Sequence, residues 1–335
     1  MLTRTVILLS LPLTFIAAIA FGSVSLDLSQ DWGSFFSDDV SRSELVLQQI
    51  RLPRAVLAAL VGAMLAMCGA ATQGLFRNPL ADPSLIGVTA GASAGAAMMI
   101  FFVGQAQWLQ GATGITLVSI GAFVGGAITV AVVYRLATSI NGTSVSTMLL
   151  AGIAITAIAG GLTNLVEFFA NSEMLRRISL WRMGGLEGAN FERVMFAAGA
   201  AVIVLTSLPR FSTALNALLL GESEARHLGI SVQSTKITII MIVALGVGAS
   251  VALAGTIAFV GLIVPHIVRI LVGPDHRLLL PLSAIGGASL LLMADTVART
   301  IVAPVELPVG LVTAFLGAPF FISLLRNRHR FIGAG

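Results

Sequence analysis

The stretch RLPRAVLAALVGAMLAMCGAATQGL, residues 51–75, decides the fold class. From Ala55 to Leu75 it carries no charge, and at about 1.5 Å per helical residue it is long enough to cross a hydrocarbon layer roughly 30 Å thick. Arg51 and Arg54 stand together at its start, and two cations kept at a membrane boundary require a partner. The rest of the chain matches. Of 335 residues, 57% are hydrophobic and 10% charged, and the mean hydropathy of +0.98 lies far outside the globular range. The expected fold class is all-α, a polytopic membrane protein of about ten transmembrane helices forming a single domain over residues 1–335.

Outward from residues 51–75, nine further apolar runs serve as spans: Thr5–Val24, Leu85–Val103, Ile115–Leu136, Met148–Phe168, Val194–Leu208, Ile237–Phe259, Val260–Val272, Leu278–Val297 and Leu307–Leu325. Many are rich in Gly and Ala, as in residues 87–95, GVTAGASAG, which allows helix backbones to approach closely. The first run is read as a retained span rather than a signal peptide cleaved near Ala18-Ile19-Ala20. Basic residues in the short loops favour cytoplasmic termini, with the tail Arg326-Asn327-Arg328-His329-Arg330 as the firmest anchor. The outer loops, Arg42 among them, dilute their cations with Asp27, Asp31, Asp38, Asp39 and Glu44. That orientation puts Arg51, Arg54 and Arg299 outside.

Catalytic patterns are missing. A nucleotide-binding P-loop needs a lysine after a glycine-rich turn, and the only lysine, Lys236, follows Gln233-Ser234-Thr235. His227, His266, His276 and His329 lack metal-ligand spacing. The lone Cys68 sits in an apolar run and reads as packing. For an ion-coupled carrier, the candidate carboxylates are Glu167, Asp295 and Glu306. Each lies near a span end, and Asp295 has Arg299 at i+4, where a structural ion pair forms on one helix face. The chain reads as a passage without its own engine. Between the sixth and seventh spans, residues 220–230, LGESEARHLGI, carry acidic residues early and basic ones late, with Gly229 placed to stop a turn, and so read as a short helix.

The ordered motifs RLPR (51–54), RNPLADP (77–83), LGESEARHLG (220–229), FVGLIVPHIVR (259–269), GPDHRLLLP (273–281), ADTVAR (294–299), ELPVG (306–310) and GAPFF (317–321) resemble the permease subunits of ATP-driven (ABC) importers for ferric siderophores, haem and cobalamin. The resemblance runs from about residue 45 to the C-terminus. It implies the type II importer permease fold in a bacterial inner membrane. The partners it implies are a second permease, identical or paralogous, two ATP-binding subunits that hold ATP and Mg, and a periplasmic substrate-binding protein. No cofactor in this chain, no enzymatic activity of its own and no nucleic-acid partner are implied.

By motif position, Arg51, Arg54 and Arg299 resemble the residues that dock the binding protein's glutamates. Leu220, Gly221, Glu222, Ala225, Arg226, Leu228 and Gly229, within a coupling segment of about 219–236, resemble the ATPase contact. Ser144, Ser146 and Thr147 occupy the place of the cytoplasmic gate, with Ser146 best placed. The resemblance implies alternating access, with an iron chelate (haem or ferric siderophore) as cargo and cobalamin as the alternative. An ion-coupled secondary transporter and a non-transporting membrane scaffold or receptor are the readings from different classes.

Overall fold

A computed structural model describes residues 2–22, 45–106, 112–140 and 142–332. The helices, in chain order, are α1 (Leu2–Ala20), α2 (Leu52–Leu75), α3 (Val88–Gln105), α4 (Ala112–Ala137), α5 (Val145–Phe169), α6 (Ser172–Met183), α7 (Phe191–Ser207), α8 (Ser212–Leu219), α9 (Glu222–His227), α10 (Val232–Ala254), α11 (Val260–Val272), α12 (His276–Thr300) and α13 (Val309–Ile332). Among the described residues, eight segments are long and apolar enough to cross a membrane, and α11 and the first part of α13 are shorter apolar helices. These ten correspond one for one with the runs read from sequence. The described strands are β1 (Thr138–Ser139) and β2 (Gly142–Thr143), an antiparallel hairpin between α4 and α5.

Helix α2 is the axis of the molecule. A single turn of π-helix, Val46–Arg51, leads into it, and Pro53 lies in its first turn, where a missing N–H costs nothing. Nearly every residue from Pro53 to Leu75 is buried, with α12, α11, α7 and α10 packed around it. A helix apolar on all sides belongs at the centre of such a bundle. Small residues set the spacing. A methyl group on Gly62 would collide with the Gly287 carbonyl of α12, one on Gly69 with the Gly261 carbonyl of α11, and one on Gly95 with the Gly121 carbonyl of α4.

The structure moves several edges. The seventh span, expected to run through Phe259, stops at Ala254, because Gly255 turns the chain at φ +65°. Residues 255–259 then descend without helical structure to α11, whose 13 residues are too few to cross alone. Non-helical backbone at membrane depth needs protein partners. Here the Gly185 N–H donates to the Ala254 carbonyl at 2.8 Å and the Gly310 N–H donates to the Gly184 carbonyl at 3.2 Å. Phe259 enters α11 at φ +68°, and a side chain at Gly317 would strike its ring. The third span begins at Val88 rather than Leu85, which lies in a 3₁₀ turn over Pro83–Ile86 capped by Asp82. The first helix ends at Ala20 instead of Val24. Val24, Arg42, the acidic residues of 27–44 and the side chains of Arg328 and Arg330 lie outside what is described.

Gly62→Val is expected to destabilise the protein by about 1–3 kcal/mol or more, read as a lower unfolding midpoint in detergent. Gly160→Ala, on α5 with nothing within 4 Å of the new methyl, is expected to leave the midpoint unchanged or to raise it by roughly 0.5–1 kcal/mol. Equal behaviour of the two variants would contradict the packing.

Candidate functional site

Two clusters of polar residues interrupt the apolar bundle, one at each end. At the expected outer end, the first turn of α2 places Arg54 against the last turns of α12. Its Nε donates to Asp295 Oδ1 at 2.9 Å, its Nη2 lies 2.8 Å from the same oxygen, and its Nη1 reaches Glu306 Oε2 at 2.6 Å. Arg299, one turn along α12, holds Asp295 Oδ2 at 3.2 Å through Nε, and its Nη2 donates to the Ala18 carbonyl. Arg51 Nη1 donates to the carbonyls of Ile19 and Ala20 at 2.6 and 2.9 Å. Two guanidiniums thus meet the unsatisfied C-terminal carbonyls of α1, where the helix dipole is negative.

Arg51, Arg54 and Arg299 are 3%, 7% and 5% exposed, and Asp295 is 1% exposed. These arginines, to which the resemblance gives a docking role, direct their guanidiniums to partners within the chain. The i+4 pair of Asp295 and Arg299 is present as expected, but sequence reading did not give Asp295 its second partner, Arg54. Glu167, the third candidate carboxylate, pairs with Arg182 of α6 at 3.1 Å.

At the opposite end, α8 and α9 form a short helical protrusion. Gly221 opens α9, and Gly229, at φ +83°, stops it as expected. Ala225 is fully buried and anchors the helix, so it cannot be a contact residue; Glu222 is half-buried against Lys236. The outward face carries Leu219, Leu220, Glu224, Arg226, His227 and Leu228. Behind it, Asn216 of α8 donates to Asp275 Oδ1 at 2.6 Å and accepts from the His276 N–H at 2.9 Å, fastening α8 to the cap of α12. The Arg277 N–H and the Asn216 amide together hold the Asp275 carboxyl below its ordinary value.

The three residues that the resemblance places at the gate, Ser144, Ser146 and Thr147, cluster at the N-terminus of α5. Ser144 is its cap, accepting from the Thr147 N–H at 3.3 Å, while Ser146 Oγ lies 3.0 Å from Ser144 Oγ. All three hydroxyls are exposed, and Met148 behind them is buried. From this ring rises an apolar face of α5, with Leu150, Ile153, Ile158, Leu162 and Leu165 exposed and Gly160 and Gly161 open to empty space. Sequence reading missed α6, whose Arg176, Arg177 and Arg182 are exposed at the expected outer end.

Residues 9–327, from α1 to α13, match the FecCD transport family. The chain belongs to that family. It is 39% identical to the hemin transport system permease HmuU of Yersinia pestis over 97% of this chain and 95% of that one. It is 42% identical to the cobalamin import permease BtuC of Halobacterium salinarum, over 86% and 75% of the two chains. A solved structure described as an inward-facing metal-chelate type ABC transporter superposes with a TM-score of 0.83 at 31% identity, covering 97% of this chain and 98% of that one. The FecCD chain described here is therefore a transmembrane permease subunit of an ABC importer, and its multi-pass architecture is that of an importer permease.

Asp295→Asn would leave Arg299 without its carboxylate and Arg54 with Glu306 alone and is expected to cost about 3–5 kcal/mol, with a smaller loss for Arg54→Lys, which cannot reproduce the forked grip. Unfolding midpoints in detergent test this. A wild-type midpoint for Asp295→Asn would remove the cluster from the account.

Proposed function

We propose that this permease pairs with a second permease copy, is driven by two ATP-binding subunits on the face bearing α9, and receives an iron chelate from a soluble binding protein at the end bearing α6. Its termini then face the cytoplasm, in a bacterial inner membrane. The observation that carries the engine's position is the outward face of α9. Leu219, Leu220 and Leu228, which flank this short helix, are exposed beside its Glu224, Arg226 and His227, and Ala225 anchors it. An apolar knob with charged flanks on a braced helix suits the cleft of another protein.

The carboxylates argue against an ion-coupled carrier. Asp295, Glu306 and Glu167 each pair with arginine, so none of the three is poised to take up and release an ion during transport. The cargo reading rests on α5. Its exposed face is apolar and glycine-broken, and it suits a bulky chelate held by few polar contacts. The haem permease relative favours haem or a ferric siderophore, and the cobalamin permease relative supports cobalamin as the second reading. At the outer end, the exposed cations of α6 are placed to steer an acidic binding protein, with the arginine–carboxylate cluster beneath fixing the helix ends around them.

Proteoliposomes containing the permease, its ATPase and its binding protein are expected to accumulate labelled haem or ferric siderophore only with ATP in the compartment that holds the ATPase. Uptake indifferent to ATP would contradict the importer, and ATP-driven uptake of cobalamin alone would replace the cargo. Leu228→Asp is expected to weaken co-purification of the ATPase by about tenfold or more, as loss of an interface anchor does. Undiminished recovery would move the ATPase contact away from α9.

A further inference from the structure

Lys236, the only lysine in the chain, is 3% exposed at the start of α10. A lysine is almost never so buried without partners. Its ammonium lies 2.5 Å from Glu222 Oε1 on α9 and donates to the Thr143 carbonyl of β2 at 2.9 Å. One turn earlier on the same helix, Gln233 clasps the same threonine. Its Oε1 accepts from the Thr143 N–H at 3.0 Å, and its Nε2 donates to Thr143 Oγ1 at 2.5 Å. Thr143 directly precedes Ser144, the cap of α5 and first of the three gate hydroxyls. The first turns of α10 thus hold the ATPase-facing helix on one side and the gate hairpin on the other. A cleft of about 330 Å³, lined by Gly142, Glu222, Arg226, Gln233 and Lys236 among others, opens beside this bracket.

We propose that Lys236 is a positioning residue that joins the coupling helix to the gate, so that a displacement of α9 is delivered to Ser144–Thr147. This rests on the importer reading. The ammonium bonds to both α9 and the hairpin, and both of its bonds are charge-assisted, the stronger class of hydrogen bond. The backbone of residues 228–232 and the clasp of Gln233 on Thr143 are further links from α9 and α10 to the hairpin. Arg226, 3.9 Å from Glu222 and largely exposed, is a second cation beside Glu222 when Lys236 is replaced.

The test uses the permease with its ATPase and binding protein in proteoliposomes, comparing wild type, Lys236→Met and Lys236→Arg. Wild-type uptake must require ATP; if it does not, the importer reading fails, whatever Lys236 does. Given that, Lys236→Met is expected to assemble with the ATPase and hydrolyse ATP within about twofold of wild type while importing about tenfold less cargo per ATP, a size usual for coupling between sites. Lys236→Arg is expected to recover part of the loss. A cargo-independent readout uses the thiol introduced by Ser146→Cys in a Cys68→Ser background. Its labelling rate by a soluble maleimide is expected to change with nucleotide in the parent and not with Lys236→Met. Unchanged cargo per ATP, or assembly and hydrolysis falling in proportion to uptake, would overturn the proposal.

Discussion

A single buried carboxylate, Asp295, organises the end of the bundle where α1, α2 and α12 meet. Two guanidiniums share it, Arg54 from α2 and Arg299 from α12, and Arg54 extends to Glu306 just before α13. Charges at this depth are costly to desolvate, and a buried ion cluster is a weak source of net stability. Its contribution here is positional. With Arg54 locked to α12, the Gly62–Gly287 contact between the same two helices is held in register. Arg51 and Arg299 then tie the C-terminal carbonyls of α1 to that pair.

The opposite end is built on a different plan. There the elements are short, Leu219, Leu220 and Leu228 at the ends of α8 and α9 face outward, and Lys236 and Gln233 hold the hairpin before α5, with Lys236 also paired to Glu222 of α9. One end is thus fixed by a shared buried charge, while the other offers an exposed surface on a small lever. Asp295, Glu306 and Glu167 are all paired with arginine, and the proposed ATPase drive is placed at that lever.

Much of this was legible in the sequence, and the misses share a cause. Hydropathy located all ten apolar segments because each signal is local and some twenty residues long. Helix α9 was legible from its charge order and Gly229. Arg51 and Arg54 stood out as cations at a span's edge, but Arg54's partner lies 241 residues away, and nothing near position 54 announces it. The resemblance gave these arginines a docking role by motif position, which encodes neither their burial nor their partners within the chain. The halt of α10 at Gly255 was hidden because residues 255–259, GTIAF, are as apolar as the helix before them. Helix α6 was missed because its Ser, Glu and Arg content reads as a loop, though Asn171 caps it and Met174 and Ile178 bury one face.

The most direct measurement of this account is the distance between spin labels at Arg226 on α9 and Ser146 on α5, taken with the ATPase bound, in the nucleotide-free and ATP-bound states. The account predicts that this distance stays constant while the distance from either label to one at Thr300, beside the arginine–carboxylate cluster, changes with nucleotide. If α9 moves with nucleotide while Ser146 keeps its distance from Thr300, the coupling helix and the gate are not one unit, and the account is contradicted.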